Sequence, residues 1–296
     1  MCEDGSGPTM AGHAERELAA ASAAELAGPT VTRRDVLRGM GAGTLSLAAL
    51  ATSGLALGSL TLGVGVANAV APAPDPRLLT RAPKILPRST WAGSSCPVRG
   101  PLPVERAGDV TYLLVHHTDV PGNVYTAPEV ASMLRGMYRF HTGPDKRWPD
   151  LAYNFIVDKY GRIWEGRAGS ATKPVIPSAT GGSQGFDQLA CFLGNHTTSP
   201  PTGQAQASMI SLLAWMGRKY AVDLRPGAMT SFISRGSNRW PKGAKVTTRT
   251  LEGHRSMSLS QCPGNAAYPL VRDVFPAAAY RLSLPPVRKF GMPLGR

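Results

Sequence analysis

Two short segments far apart in the chain carry the side chains that most restrict how it can fold. Residues 113–119 read LLVHHTD, an apolar run closed by His116 and His117. Residues 251–264 read LEGHRSMSLSQCPG, where His254 stands eight positions before Cys262 and Cys262 enters a Cys-Pro-Gly turn. Two imidazoles and one thiolate suit Zn²⁺ and leave its fourth position open for water. A chain that uses this set must bring the end of the early run against the late turn. The His-x₇-Cys spacing is not one of the compact structural-zinc spacings, so the competing reading is a surface histidine and a buried structural cysteine.

The first seventy residues do not read as part of a core. Thr32-Arg33-Arg34-Asp35-Val36-Leu37-Arg38 is a twin-arginine pattern, residues 39–66 carry no charge, and Ala67-Asn68-Ala69 is a small-residue cleavage site. Residues 1–69 are therefore expected to be a Tat export signal, with an extracellular or wall-associated destination. The uncharged run is long enough to span a bilayer. Its Gly, Ser and Thr content and the immediate Ala-x-Ala favour cleavage, so no stable membrane anchor is expected. Residues 70–83 form a Pro-rich linker, and residues 281–296 a C-terminal tail.

The leader holds four Arg and six acidic residues, so the 32 basic and 19 acidic side chains become 28 and 13, a net charge of +15. Such a field favours polyanions. Export points to anionic wall polymers and sets nucleic acid aside; a solvated Arg-rich shell is the plain alternative. Cys96, Cys191 and Cys262 remain after the leader. If Cys262 holds metal, Cys96 and Cys191 are either bridged, as an oxidising compartment allows, or free buried thiols.

Along residues 84–280 the pattern alternates between strand and helix. Asp109 to His117 reads as a strand, with Tyr112, Leu114 and His116 on one face and Leu113, Val115 and His117 on the other. Only one of the paired histidines can face a given site. Thr126-Ala127-Pro128-Glu129 is a capping box that predicts a helix from Ala127. Tyr153–Val157 and Arg162–Glu165 predict a hairpin, Leu189–Leu193 a strand, and Gln204–Tyr220 a helix. Residues 225–247, rich in Gly, Ser, Pro and Arg, predict a long surface loop, and Ala266–Ala278 a closing helix. The expected fold is a single α/β domain, a central mixed β-sheet flanked by helices, and a monomer.

The string HHT, the stretch WPDLAYNFIVDKYGRIWEGR at residues 148–167 and GHR…CPG at residues 253–264, in that order, resemble the peptidoglycan recognition protein family. They are equally similar to the zinc amidases of the phage-lysozyme type, which cut N-acetylmuramoyl-L-alanine bonds. The resemblance covers roughly residues 84–280. It implies one Zn²⁺ held by His116, His254 and Cys262, leaving His117 to packing or hydrogen bonding. Ile85 to Trp91, ILPRSTW, matches a family segment that packs onto the core.

Further roles follow from the same resemblance. Tyr153 matches a tyrosine beside the metal that donates to a developing oxyanion. Ser260 stands where active relatives carry Lys or Thr. Trp148 and Arg167 match residues that contact the extra carboxylate of diaminopimelate, and Arg clamps a carboxylate bidentately. Arg147 replaces a family glycine, and Pro177-Ser178-Ala179 a Gly-Ala-His segment. His141 matches a family histidine, whereas His196 has no motif and reads as surface. Glu165 and Glu252 are the acids available as a general base. The implied function is a secreted zinc amidase acting on peptidoglycan or muropeptides. The alternatives are a binding module that does not cut, and a hydrolase using Cys262 as nucleophile.

Overall fold

The computed structural model describes residues 82–120, 122–181 and 185–284. The export signal, most of the linker and the tail beyond residue 284 lie outside the described residues. Among the described residues no helix is long and apolar enough to cross a membrane.

Six strands form the central sheet: β1 (Ile85–Leu86), β2 (Tyr112–His117), β3 (Phe155–Val157), β4 (Ile163–Glu165), β5 (Asp187–Phe192) and β8 (Leu251–Gly253). Their spatial order is β1-β4-β3-β5-β2-β8. Only β3 and β4 pair antiparallel; the other neighbours run parallel. Every residue of β2 and β5 is buried. A parallel strand covered on both faces reads as a continuous apolar run, which is why Tyr112–Val115 carries no polar alternation.

Among the described residues, three helices longer than one turn cover the sheet: α1 (Val130–Thr142), α2 (Gly203–Tyr220) and α3 (Phe275–Ser283). Leu113, Val115, Phe155 and Phe192 pack against Met209, Leu213 and Met216 of α2 and Phe275 and Ala279 of α3. The opposite face presents Ile156 and Cys191 to Leu134 and Tyr138 of α1 and to Trp91. The alternation expected in β2 is present, because Tyr112 and Leu114 fall in a different cluster from Leu113 and Val115. Arg88 fixes the ILPRSTW segment through a bidentate bond to Asp150 at 2.7 and 3.2 Å. The α2 start is capped by Thr202 Oγ1, which accepts from Ala205 N–H at 3.2 Å.

Several boundaries differ from expectation. Thr126 and Glu129 form one half of a capping box: Glu129 Oε2 accepts from Thr126 N–H at 2.6 Å and from its hydroxyl at 2.8 Å, while Glu129 N–H donates to the Thr126 carbonyl at 3.2 Å rather than to its hydroxyl. Residues 127–129 are a turn and the helix begins at Val130. Strand β2 begins at Tyr112, after a 3₁₀ turn at Ala107–Asp109, and β3 begins at Phe155. The closing helix is displaced to Phe275–Ser283, preceded by a π turn at Leu270–Val274, so the first residues assigned to the tail are helical. Cys96 and Cys191 are free buried thiols.

The largest correction concerns residues 225–247. They hold an antiparallel ribbon, β6 (Met229–Ile233) paired with β7 (Lys245–Arg249) in the register Met229↔Arg249 to Ile233↔Lys245. Phe232 and Val246 bury against Tyr112, Leu114 and Met257 while Met229, Ser231, Ile233, Lys245 and Thr247 face outward. One apolar contact per strand is enough to seat the ribbon, but too little to stand out among its Gly, Pro and Arg residues.

Candidate metal centre

Strands β2 and β8 are parallel neighbours with Val115 opposite Gly253. The residues that follow, His116 and His254, therefore emerge side by side at the carboxyl ends of adjacent strands, where open α/β sheets place ligands. Their rings stack with centroids 4.3 Å apart. Cys262 returns to them through a short loop in which Arg255 N–H donates to Cys262 O at 2.9 Å. The Arg255 side chain also reaches the carbonyl of Gln261 and Asn265 Oδ1. One ligand atom from each of His116, His254 and Cys262 lies within 4.8 Å of the others, the one such group of His, Cys, Asp or Glu among the described residues.

The contacts within the group are specific. Cys262 Sγ is 3.5 Å from His116 Nδ1 and accepts the main-chain N–H of His117 at 3.4 Å. His116 Nε2 is buried with no hydrogen-bond partner, and among the described residues the one side-chain hydrogen-bond contact of its ring nitrogens is Nδ1 with Cys262 Sγ. Ser260 Oγ accepts from Cys262 N–H at 3.1 Å and lies 3.4 Å from His254 Nδ1. That hydroxyl links the His254 ring to the Cys262 main chain from an exposed position.

Electrostatics favour neutral imidazoles. Burial pushes His116 well below the ordinary value, helped by the fields of His254 and His117. Burial, then His117, lowers His254 to about 4. Burial pushes the Cys262 thiol up to about 12, with the His117 N–H acting the other way. Two neutral imidazoles and a thiol fit a borderline-soft cation that takes both nitrogen and sulfur.

A line of rings leads from this group to the surface. Tyr153 is 5.3 Å from His116 and 5.6 Å from His141, and His141 is 5.1 Å from the half-buried Trp148. His141 Nδ1 accepts Ala152 N–H at 3.2 Å, and its carbonyl accepts Trp148 N–H at 2.9 Å. Burial raises the Tyr153 phenol well above its usual value, and the nearby Cys191 and Cys262 add to this. It remains a protonated donor beside the group.

Arg167 is not an open carboxylate clamp. It is 1% exposed, and its two Nη atoms are occupied: Nη1 donates to Ile176 O at 2.9 Å, and both donate to Ser178 Oγ at 2.7 Å, while Nε is buried with no hydrogen-bond partner. Burial lowers its pKa to about 10. Ser178 belongs to the segment that replaces the family's Gly-Ala-His, so that departure supplies the partner. Glu165 accepts from Arg88 N–H and Ala171 N–H at 3.2 and 3.1 Å. Glu252 accepts from Gly253 N–H at 2.9 Å. Neither joins the ligand group.

His196 is buried rather than on the surface. Its N–H donates to His117 Nδ1 at 3.1 Å, its Nδ1 lies 3.0 Å from Ser199 O, and its carbonyl accepts Ala266 N–H at 3.0 Å. Gly264, at φ +92°, lies directly against the His196–Thr197 backbone. No local pattern marks His196; the Cys-Pro-Gly turn was the one signal that a close backbone approach follows the cysteine.

These features define an α/β domain with a His-His-Cys group at the ends of two parallel strands. A family profile described as N-acetylmuramoyl-L-alanine amidase matches residues 106–265, and the chain belongs to that family. The mouse N-acetylmuramoyl-L-alanine amidase is 31% identical over 196 residues, which is 64% of this chain and 30% of that protein. Peptidoglycan-recognition protein LB of Drosophila melanogaster is 24% identical over 186 residues, 62% of this chain and 66% of that protein. The chain thus matches under a third of the length of the mouse amidase. Among solved structures, bumblebee PGRP-SA aligns with a TM-score of 0.50 and 16% identity, over 65% of this chain and 95% of that one. This likeness shows the fold alone.

Proposed function

We propose that this protein is an exported zinc-dependent amidase that hydrolyses the lactyl–L-alanine amide of peptidoglycan. The observation that carries the reading is the convergence of His116, His254 and Cys262 beside a protonated Tyr153. Membership of the amidase family, and relatives named as amidases and as peptidoglycan-recognition proteins, support it. Export rests on Arg33-Arg34 and Ala67-Asn68-Ala69 in the sequence.

His116, His254 and Cys262 would hold the metal. When bound there, zinc supplies Lewis-acid polarisation and lowers the pKa of water to about 7, so that hydrolysis proceeds at neutral pH. Tyr153 donates its hydroxyl proton in a hydrogen bond to the carbonyl oxygen as negative charge develops on it. His141 and Trp148 form the aromatic wall that continues from Tyr153 towards solvent and orients the substrate. His117 and Ser260 hold Cys262 from two sides by main-chain bonds.

A second reading is peptidoglycan binding without cleavage, supported by Ser260. Its hydroxyl is engaged with Cys262 N–H and stands beside His254, where active relatives carry Lys or Thr. Mass spectrometry of digested wall material separates the two. Cleavage releases stem peptides with a free L-alanine amine; intact glycopeptides after incubation with the zinc-loaded protein favour binding alone.

A further inference from the structure

The ribbon β6–β7 is unusual in charge as well as in position. Residues 225–249 carry Arg225, Arg235, Arg239, Lys242, Lys245 and Arg249 and no acidic residue. At its base the cations are neutralised from outside the ribbon: Arg225 pairs with Asp223 at 2.5 Å, and Arg249 lies 3.9 Å from Asp273. Towards the tip, Arg235 lies 3.8 Å from Glu105. Among the described residues, no carboxylate lies within ion-pair distance of Arg239, Lys242 or Lys245, and all three are exposed. Arg239 bonds only to a neutral partner, Arg255 O, at 3.3 Å.

The uncompensated end is also the end that touches the metal-ligand loop. Ser237 Oγ donates to Met257 O at 2.9 Å, and Trp240 Nε1 donates to Ser256 O at 3.0 Å. Asn238 Oδ1 accepts Leu259 N–H at 2.9 Å. These acceptors and donors all lie between His254 and Cys262. A polymer whose amide bond is presented to that loop runs within reach of the tip cations.

We infer that the tip of the β6–β7 ribbon is a second contact surface for the anionic peptidoglycan strand, binding carboxylates of stem peptides beyond the one presented to the site. The inference rests on the proposed substrate and adds that the polymer is preferred over single fragments. Exposed cations act on a polyanion through a field that salt screens, with a Debye length of about 10 Å at 0.1 M. Phe232 and Val246 fix the ribbon to the domain, so the backbone that carries these charges is held beside the loop.

The test is sedimentation of the zinc-loaded, full-length mature protein with insoluble peptidoglycan, alongside titration with a soluble disaccharide-peptide fragment. Wild type is compared with the Lys242→Glu/Lys245→Glu variant. Polymer affinity is expected to fall roughly tenfold in the variant, and in wild type to weaken with added NaCl, while fragment affinity stays within about twofold. Unchanged polymer affinity in the variant, or wild-type binding indifferent to salt, overturns the inference. A variant that loses duplex DNA but keeps the polymer also overturns it, in favour of nucleic acid. Binding is read without cleavage, so a protein that fails to cut still reports on the ribbon.

Discussion

The main-chain N–H of His117 donates to Sγ of Cys262 at 3.4 Å, while the His117 ring, on the other side of the strand, accepts the N–H of His196 at 3.1 Å. One residue thus holds the sulfur through its backbone and anchors the loop at His196 through its side chain. The loop is closed by Ala266 N–H on His196 O at 3.0 Å. His117→Ala keeps the backbone bond and removes the ring. It should retain zinc and lose about 1–3 kcal/mol of stability, because the buried His196 N–H loses its acceptor. His116→Ala should lose zinc. Metal content and denaturant melts of both variants check this; equal zinc loss would contradict it.

At Gly264 a Cβ would collide with the His196 carbonyl, and the backbone is at φ +92°. Gly264→Ala therefore strains the turn and displaces Cys262. It should destabilise the protein by about 2 kcal/mol or more and weaken zinc binding. Competition with a chromophoric chelator reads the affinity, and wild-type affinity in this variant would show that the close approach does not position the cysteine.

Acid should destabilise the metal-free protein through its buried histidines. His117, His141 and His254 are lowered to about 4 in the fold from an ordinary 6.5, each chiefly by burial. Below 6.5 the unfolded chain binds more protons than the folded one, so stability rises with pH. The contribution is fully present above about 6.5 and is lost as pH falls towards 4. A melting temperature independent of pH from about 7 to about 4 would contradict this.

What the sequence revealed and what it hid follow from the range of the interactions. His116, His254 and Cys262 were legible because HHT and GHR…CPG resemble the family's motifs; period-two alternation said only that one of the paired histidines faces the site, and the resemblance chose His116. Their convergence depends on Val115 pairing with Gly253 across parallel strands, which no local pattern encodes. The ribbon was hidden because Phe232 and Val246 alone mark its inner face. Arg167 looked like a substrate clamp because its partner Ser178 lies in a separate turn, eleven residues on.

That pairing yields its own prediction. Arg167→Ala leaves the Ser178 hydroxyl and Ile176 carbonyl without their donors, and should cost about 2 kcal/mol or more of stability. Trp148→Ala, at the half-buried end of the ring line, should weaken fragment binding with little loss of stability. Thermal melts and binding isotherms distinguish the two, and an Arg167→Ala variant as stable as wild type would show that the buried fork is not structural.

Tyr153→Phe keeps the ring contacts to His116 and His141 and deletes one donor. It should retain zinc while kcat falls by roughly 10²–10³. Full activity in this variant would remove Tyr153 from the mechanism.

The central claim is that His116, His254 and Cys262 hold a zinc ion that drives amide hydrolysis. Its most direct measurement is metal content together with amidase activity, on wild type and on Cys262→Ser. One zinc per chain, activity lost with chelator and restored by Zn²⁺, and loss of both metal and activity in Cys262→Ser are the predicted results. A zinc-free wild type that still cuts, or a Cys262→Ser variant with full zinc and full activity, would contradict the account.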